Sequence, residues 1–85
     1  MGEQPRMRIE QEIREYVTEL CHEQNLGRDL NLFEHGYLSS LDILDLIAFI
    51  EETFAISIPD DDLNIENFGS IGSMVRFIER TKQEG

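Results

Sequence analysis

Eighty-five residues with 18 acidic and 7 basic side chains, a formal charge of −11, describe one small acidic domain spanning 1–85. That balance argues against a nucleic-acid binder, because phosphates require Lys and Arg. No apolar run approaches the roughly 18 to 20 residues of a bilayer span. Met1–Arg8 lacks the apolar core of a secretory leader, and Arg6 stands where a myristoylation signal carries Ser or Thr. A cytoplasmic chain is expected.

The first helix is predicted from Arg6 to His22. Ile9, Ile13, Val17 and Leu20 recur at helical spacing, Tyr16 and Cys21 flank the stripe, and Glu10, Gln11, Arg14, Glu15 and Glu19 cover the other side. Pro5 suits the start, where its missing N–H is harmless. Asn25 and Gly27 tolerate left-handed geometry and predict the stop. Cys21 is the only cysteine, so no intrachain disulfide or thiolate metal cluster can form, and core packing accounts for it. His22 points about 100° away from it on a helix, a poor arrangement for a shared metal.

Gly27 to Leu38 forms a long connection. Leu30, Leu32, Phe33 and Leu38 are too many large apolar groups for a free linker, so it is expected to pack over the core. Gly36 permits a sharp turn before the second helix.

The second helix is predicted from Leu41 to Phe54. At about 100° per residue, Ile43, Leu46, Ile47, Ile50 and Phe54 share one wedge, the core face. The opposite side carries Leu41, Asp42, Leu44, Asp45, Ala48, Glu51 and Glu52, with Phe49 at the acidic edge and expected to pack under a neighbour. Apolar residues fringed by carboxylates suit a docking surface; the plainer alternative is that Leu41 and Leu44 meet the long loop. Ser39 is a natural N-cap, with Asp42 three residues on approximating a capping box. Ser40 then becomes the first helical residue, at the positive end of the dipole, where a phosphate ester would be favoured.

A short extended segment, Ala55 to Pro59, leads to Asp60-Asp61-Asp62, which opens a helical turn through Leu63 to Ile65. The triplet fails as a calcium loop: Ile65 stands where Gly is required and Ile71 where the bidentate Glu belongs. Carboxylates at a helix start explain it better. The last helix, capped by Ser70, runs from about Ile71 to Lys82 on Ile71, Met74, Val75 and Ile78, and the final Gln83-Glu84-Gly85 is expected to fray. The fold class is therefore all-α, three main helices with a short extra turn before the last and a long packed first loop.

Charge is unevenly distributed. From Asp29 to Val75 there are ten acidic residues and no Lys or Arg. A solvated surface and a face for basic partners both fit that pattern. No nucleophile–base pair is visible: His35 is the only histidine near Ser40, across a glycine turn, and reads as an ordinary loop residue. A non-catalytic protein is expected.

Three segments carry a family likeness: Ser40-Leu41-Asp42, Glu51-Glu52-x-Phe54 and Ile58-Pro59-Asp60. In this order and spacing they resemble the acyl and peptidyl carrier proteins, across essentially the whole chain. The resemblance implies a 4'-phosphopantetheine arm on Ser40, taken from coenzyme A by a phosphopantetheinyl transferase, with a thiol that holds acyl or aminoacyl cargo as a thioester. It also implies that Leu41, Asp42, Leu44, Asp45, Ala48 and Glu52, with Ser39 and Glu51 beside them, meet the transferase, loading enzymes and downstream synthases. The chain would act as a monomer. Ser39 departs from the usual Asp at its position, which bears on which transferase reads the site.

The stretch Leu32–Leu41 is similar to D-alanyl carriers and to free-standing carriers of secondary metabolism. Asp60–Ile71 is closer to small carriers of unusual polyketide extender units. Tyr37, three residues before Ser40, replaces the glycine of housekeeping fatty-acid carriers, so secondary metabolism is the expected setting, with a D-alanyl or fatty-acid carrier as alternative. From a different class, an unmodified acidic adaptor could bind a basic partner through helix 41–54.

Overall fold

The computed structural model describes residues 5–84. The expectations for Met1–Gln4 and for Gly85 lie outside the described residues. The fold is all-helical: α1 spans Pro5–Cys21, α2 Asp42–Phe54, α3 Ile65–Phe68 and α4 Ile71–Glu84, with a 3₁₀ turn at Asp60–Asp62. Among the described residues no segment forms a strand.

The apolar stripes converge as their spacing predicts. Ile9, Ile13 and Val17 from α1 meet Leu46, Ile50 and Phe54 from α2 and Ile71, Met74, Val75, Phe77 and Ile78 from α4. Phe68 of α3 closes the core, its ring tilted against Phe77 at 5.2 Å between centroids. Each such side chain contributes about 1.5–3 kcal/mol when fully buried. Cys21 packs at the edge of this core as a free thiol.

The long connection is structural. Leu26, Leu32 and Leu38 are buried, and Leu30, Phe33 and Tyr37 pack partly against the core. Asn31 organises the middle, its Oδ1 accepting the N–H groups of Phe33 and Glu34. Leu32 then accepts from Tyr37 and Leu38, and Gly36 takes φ +79°, a value glycine adopts without penalty. Two backbone bonds fasten this loop to the start of α4: Leu32 N–H donates to Gly69 O at 2.8 Å, and Gly72 N–H to Arg28 O at 2.7 Å. A Cβ on Gly72 would sit 3.0 Å from that carbonyl, so the loop is held where a side chain would push it away. Glu10 adds a clamp, its two oxygens pairing with Arg14 at 3.2 Å and Arg28 at 3.1 Å. Burial raises the Glu10 pKa, but the hydrogen bonds and charge of the two arginines outweigh it and hold the carboxyl below its ordinary value.

Four expectations are corrected in detail. The left-handed residue after α1 is His22 (φ 61°), where Asn25 or Gly27 was expected. His22 N–H completes the last turn on Thr18 O, and the chain then turns away so that Leu26 enters the core. The turn expected over 60–65 is split in two: Leu63 (φ −82°, ψ 79°) leaves the helical region, and Asn64 caps α3 separately by accepting Asn67 N–H at 2.9 Å. Helix α4 reaches Glu84, two residues beyond the expected end, because nothing before Gly85 breaks it. Finally, α2 begins at Asp42, preceded by a tight turn in which Asp42 N–H bonds to Ser39 O and Leu44 N–H to Leu41 O. Ser40, expected as the first helical residue, thus lies two residues before it, in the turn, with Leu41 between. The predicted Ser70 cap is present, its Oγ accepting Ser73 N–H.

Candidate functional site

Because Leu46, Ile50 and Phe54 commit one face of α2 to the core, the opposite face is left to solvent. Leu41 and Leu44 are 77% and 66% exposed, and the loop does not cover them. Asp45, Ala48 and Glu52 are exposed alongside, while Asp42 is half-buried at the helix mouth. Asp42 and Asp45 lie in the first turn, where the helix dipole favours negative charge.

Ser39 and Ser40 are both exposed, yet their surroundings differ. Ser39 N–H donates to Asp42 Oδ2 at 2.9 Å, and Ser39 Oγ–H donates to the same oxygen at 3.2 Å. The carboxylate half of a capping box is therefore built, although the Ser39 hydroxyl does not cap the helix. The Ser40 hydroxyl has no hydrogen-bond partner among the described residues. The N–H groups of Ser40 and Leu41 have none either, leaving two backbone donors at the helix mouth beside that hydroxyl. A free hydroxyl next to unpaired N–H groups suits a phosphodiester, whose oxygens would accept from them.

Three further residues set the frame of this surface. Phe49 does pack under a neighbour: its ring stacks on Tyr16 of α1 at 4.1 Å and 5° between planes. The Tyr16 hydroxyl donates to Asp45 O at 3.3 Å, tying α1 to the first turns of α2. Partial burial, then the charges of Asp45, Glu19 and Asp42, raise the Tyr16 pKa above its usual value. No sequence period announces this stack, because the partners lie 33 residues apart on different helices. Glu51, grouped above with the docking residues, is half-buried and accepts Ile58 N–H at 2.9 Å, which holds the segment after α2. That segment leaves through Ala55 in left-handed geometry, and Lys82 Nζ donates to Phe54 O at 3.3 Å, a cation at the negative end of α2.

His35 lies in the loop with its ring 6.4 Å from that of Tyr37, and no hydrogen bond joins it to Ser40. Among the described residues no cluster of three or more His, Cys, Asp or Glu is placed to hold a metal ion, and no helix is long and apolar enough to cross a membrane.

Residues 11–78 match the family described as "Phosphopantetheine attachment site". The chain is 32% identical over 78 residues to the acyl carrier protein of Wolinella succinogenes, covering 89% of this chain and all of that one. It is 26% identical to the D-alanyl carrier protein of Bacillus velezensis over the same shares. Among solved structures, a chain from the crystal structure of an FAD-dependent dehydrogenase superposes with a TM-score of 0.69 at 25% identity, over 78% of this chain and 97% of that one. Matched along most of its length to a phosphopantetheine attachment family and to whole carrier proteins, the chain belongs to the phosphopantetheine-bearing carrier proteins.

Proposed function

We propose that Ser40 carries the 4'-phosphopantetheine arm, and that the chain is a free-standing, non-catalytic carrier of polyketide or nonribosomal-type secondary metabolism. The observation that carries the first part is the contrast at the mouth of α2: of two adjacent exposed hydroxyls, Ser40 alone is without an internal partner. In the transfer, the Ser40 oxygen attacks the coenzyme A phosphorus that bears the pantetheine. One P–O bond forms, the bond to the second phosphate breaks, 3',5'-bisphosphoadenosine leaves, and the serine proton passes to a base on the transferase. The bound arm supplies a thiol that holds cargo as a thioester.

The domain's own part is presentation. Rigid packing of Leu46, Ile50 and Phe54 fixes α2, so Ser40 keeps a defined position as partners change. Leu41, Leu44 and Ala48 offer apolar contact, while Asp42, Asp45 and Glu52 steer basic enzymes toward it. Weak docking suffices, because a tethered thioester is held at high effective concentration near a docked active site. The same charge repels a second copy, supporting a monomer.

The secondary-metabolism setting rests on Gly36-Tyr37 before the serine pair and on the likeness of Asp60–Ile71 to extender-unit carriers. A D-alanyl carrier is the second reading, favoured by the Bacillus velezensis relative. Incubation with coenzyme A, magnesium and a broad-specificity transferase should add one phosphopantetheinyl group by intact mass, and Ser40→Ala should remove it. Absence of the added mass would return the chain to the class of unmodified adaptors, whereas its survival in Ser40→Ala would move the attachment to another residue. Exposing the loaded protein to D-alanine-adenylating or acyl-transferring enzymes then separates the two settings by the mass of the thioester.

A further inference from the structure

We infer that Asp42 determines which of the two adjacent serines is modified, by occupying Ser39 and leaving Ser40 free; this rests on the reading of Ser40 as the attachment residue. Three links join Ser39 to Asp42: Ser39 N–H to Oδ2 at 2.9 Å, Ser39 Oγ to Oδ2 at 3.2 Å, and Asp42 N–H back to Ser39 O at 3.0 Å. Donor, acceptor and hydroxyl of Ser39 are all committed to one residue. Its oxygen also lies beside a carboxylate, so an approaching diphosphate meets like charge there. The hydroxyl of Ser40, the next residue, is held by no such hydrogen bond.

Asp42 acts here as a positioning residue. The same oxygen that occupies the Ser39 hydroxyl pins the Ser39 backbone, and that backbone sets the direction in which Ser40 leaves the loop. The restraint on Ser39 comes from within the helix, three residues later.

The test uses the full chain with coenzyme A, magnesium and a broad-specificity transferase, and locates the added group by peptide mapping. Wild type should be labelled on Ser40 alone, and Ser40→Ala should stay unlabelled. Asp42→Asn should slow labelling of Ser40 by roughly tenfold, the worth of one charge-assisted hydrogen bond. In the Ser40→Ala/Asp42→Asn double variant, Ser39 should become a slow acceptor. Asp42→Glu, with the usual capping-box carboxylate, should restore selectivity. Amide exchange should report faster loss of the Ser39 proton in Asp42→Asn while core amides stay protected, which also verifies folding.

A simple docking role for Asp42 would lower the rate, more so at low salt, but would not move the label. The inference fails if Asp42→Asn labels Ser40 at the wild-type rate and the double variant remains unlabelled. It fails equally if Ser39 is labelled in Ser40→Ala and that labelling needs Asp42, since the carboxylate would then activate Ser39. An unlabelled wild type, by contrast, sinks the attachment reading itself.

Discussion

The loop between α1 and α2 and the outward face of α2 are both rich in leucine, and the two treat it oppositely. Leu26, Leu32 and Leu38 are at most 3% exposed, in a segment without a regular helix, whereas Leu44 stands open on a regular one and Leu41 at its mouth. Backbone bonds to Gly69 and Gly72, the Asn31 turn and the Glu10 clamp make the irregular segment a fixed wall. The helical face is regular in its backbone and uncommitted in its side chains. Regular structure is thus no guide to which part of this molecule is engaged. Side-chain partnership is the better guide: it assigns the loop to stability and leaves Leu41 and Leu44 without a partner in the fold.

The contrast can be broken most sharply by Leu32→Ala. Loss of that fully buried side chain should cost about 2–5 kcal/mol in chemical denaturation, against under about 0.5 kcal/mol for Leu44→Ala, which should instead weaken docking. If the two changes cost the same, the division between wall and face is wrong. Gly72→Val should be next, at about 1–3 kcal/mol, because its side chain must displace the Arg28 carbonyl or the Asp29 carboxylate. Ala55→Gly should stabilise by roughly 0.5–1 kcal/mol, relieving a left-handed alanine.

The smallest effect concerns acid. The folded Glu10 carboxyl is held below its ordinary value of 4.5. Its contribution is therefore complete above that value and lost as pH falls through the folded pKa. Glu10→Gln should be less stable than wild type near neutrality by under about 1 kcal/mol, with the gap closing below pH 4.5. A gap that persists unchanged in acid would mean that the arginine pairs are not its source.

Much of this was legible in the residues. Ile71, Met74, Val75 and Ile78 announce α4, and Leu46, Ile50 and Phe54 announce the core face of α2, because burial imposes the helical period directly. The apolar loop residues signalled packing for the same reason. The exit from α1 was not legible: Asn25 and Gly27 advertise left-handed geometry, but the need to bury Leu26 forces it on His22, at a cost that tertiary packing overrides. At the site, the serine pair and the exposed leucines follow from motif and wheel. The Tyr16–Phe49 stack does not, since contacts between separate helices leave no local spacing. Glu51 shows the limit of a helical wheel. Its angle points outward, yet the returning chain brings Ile58 N–H to it.

The chain contains no tryptophan and only two tyrosines. One is stacked on Phe49 against α2 and the other lies in the loop leading to Ser39. Intrinsic ultraviolet emission from this protein therefore originates near the first turns of α2, so docking there by an enzyme without fluorescent aromatics of its own could be followed with no attached dye.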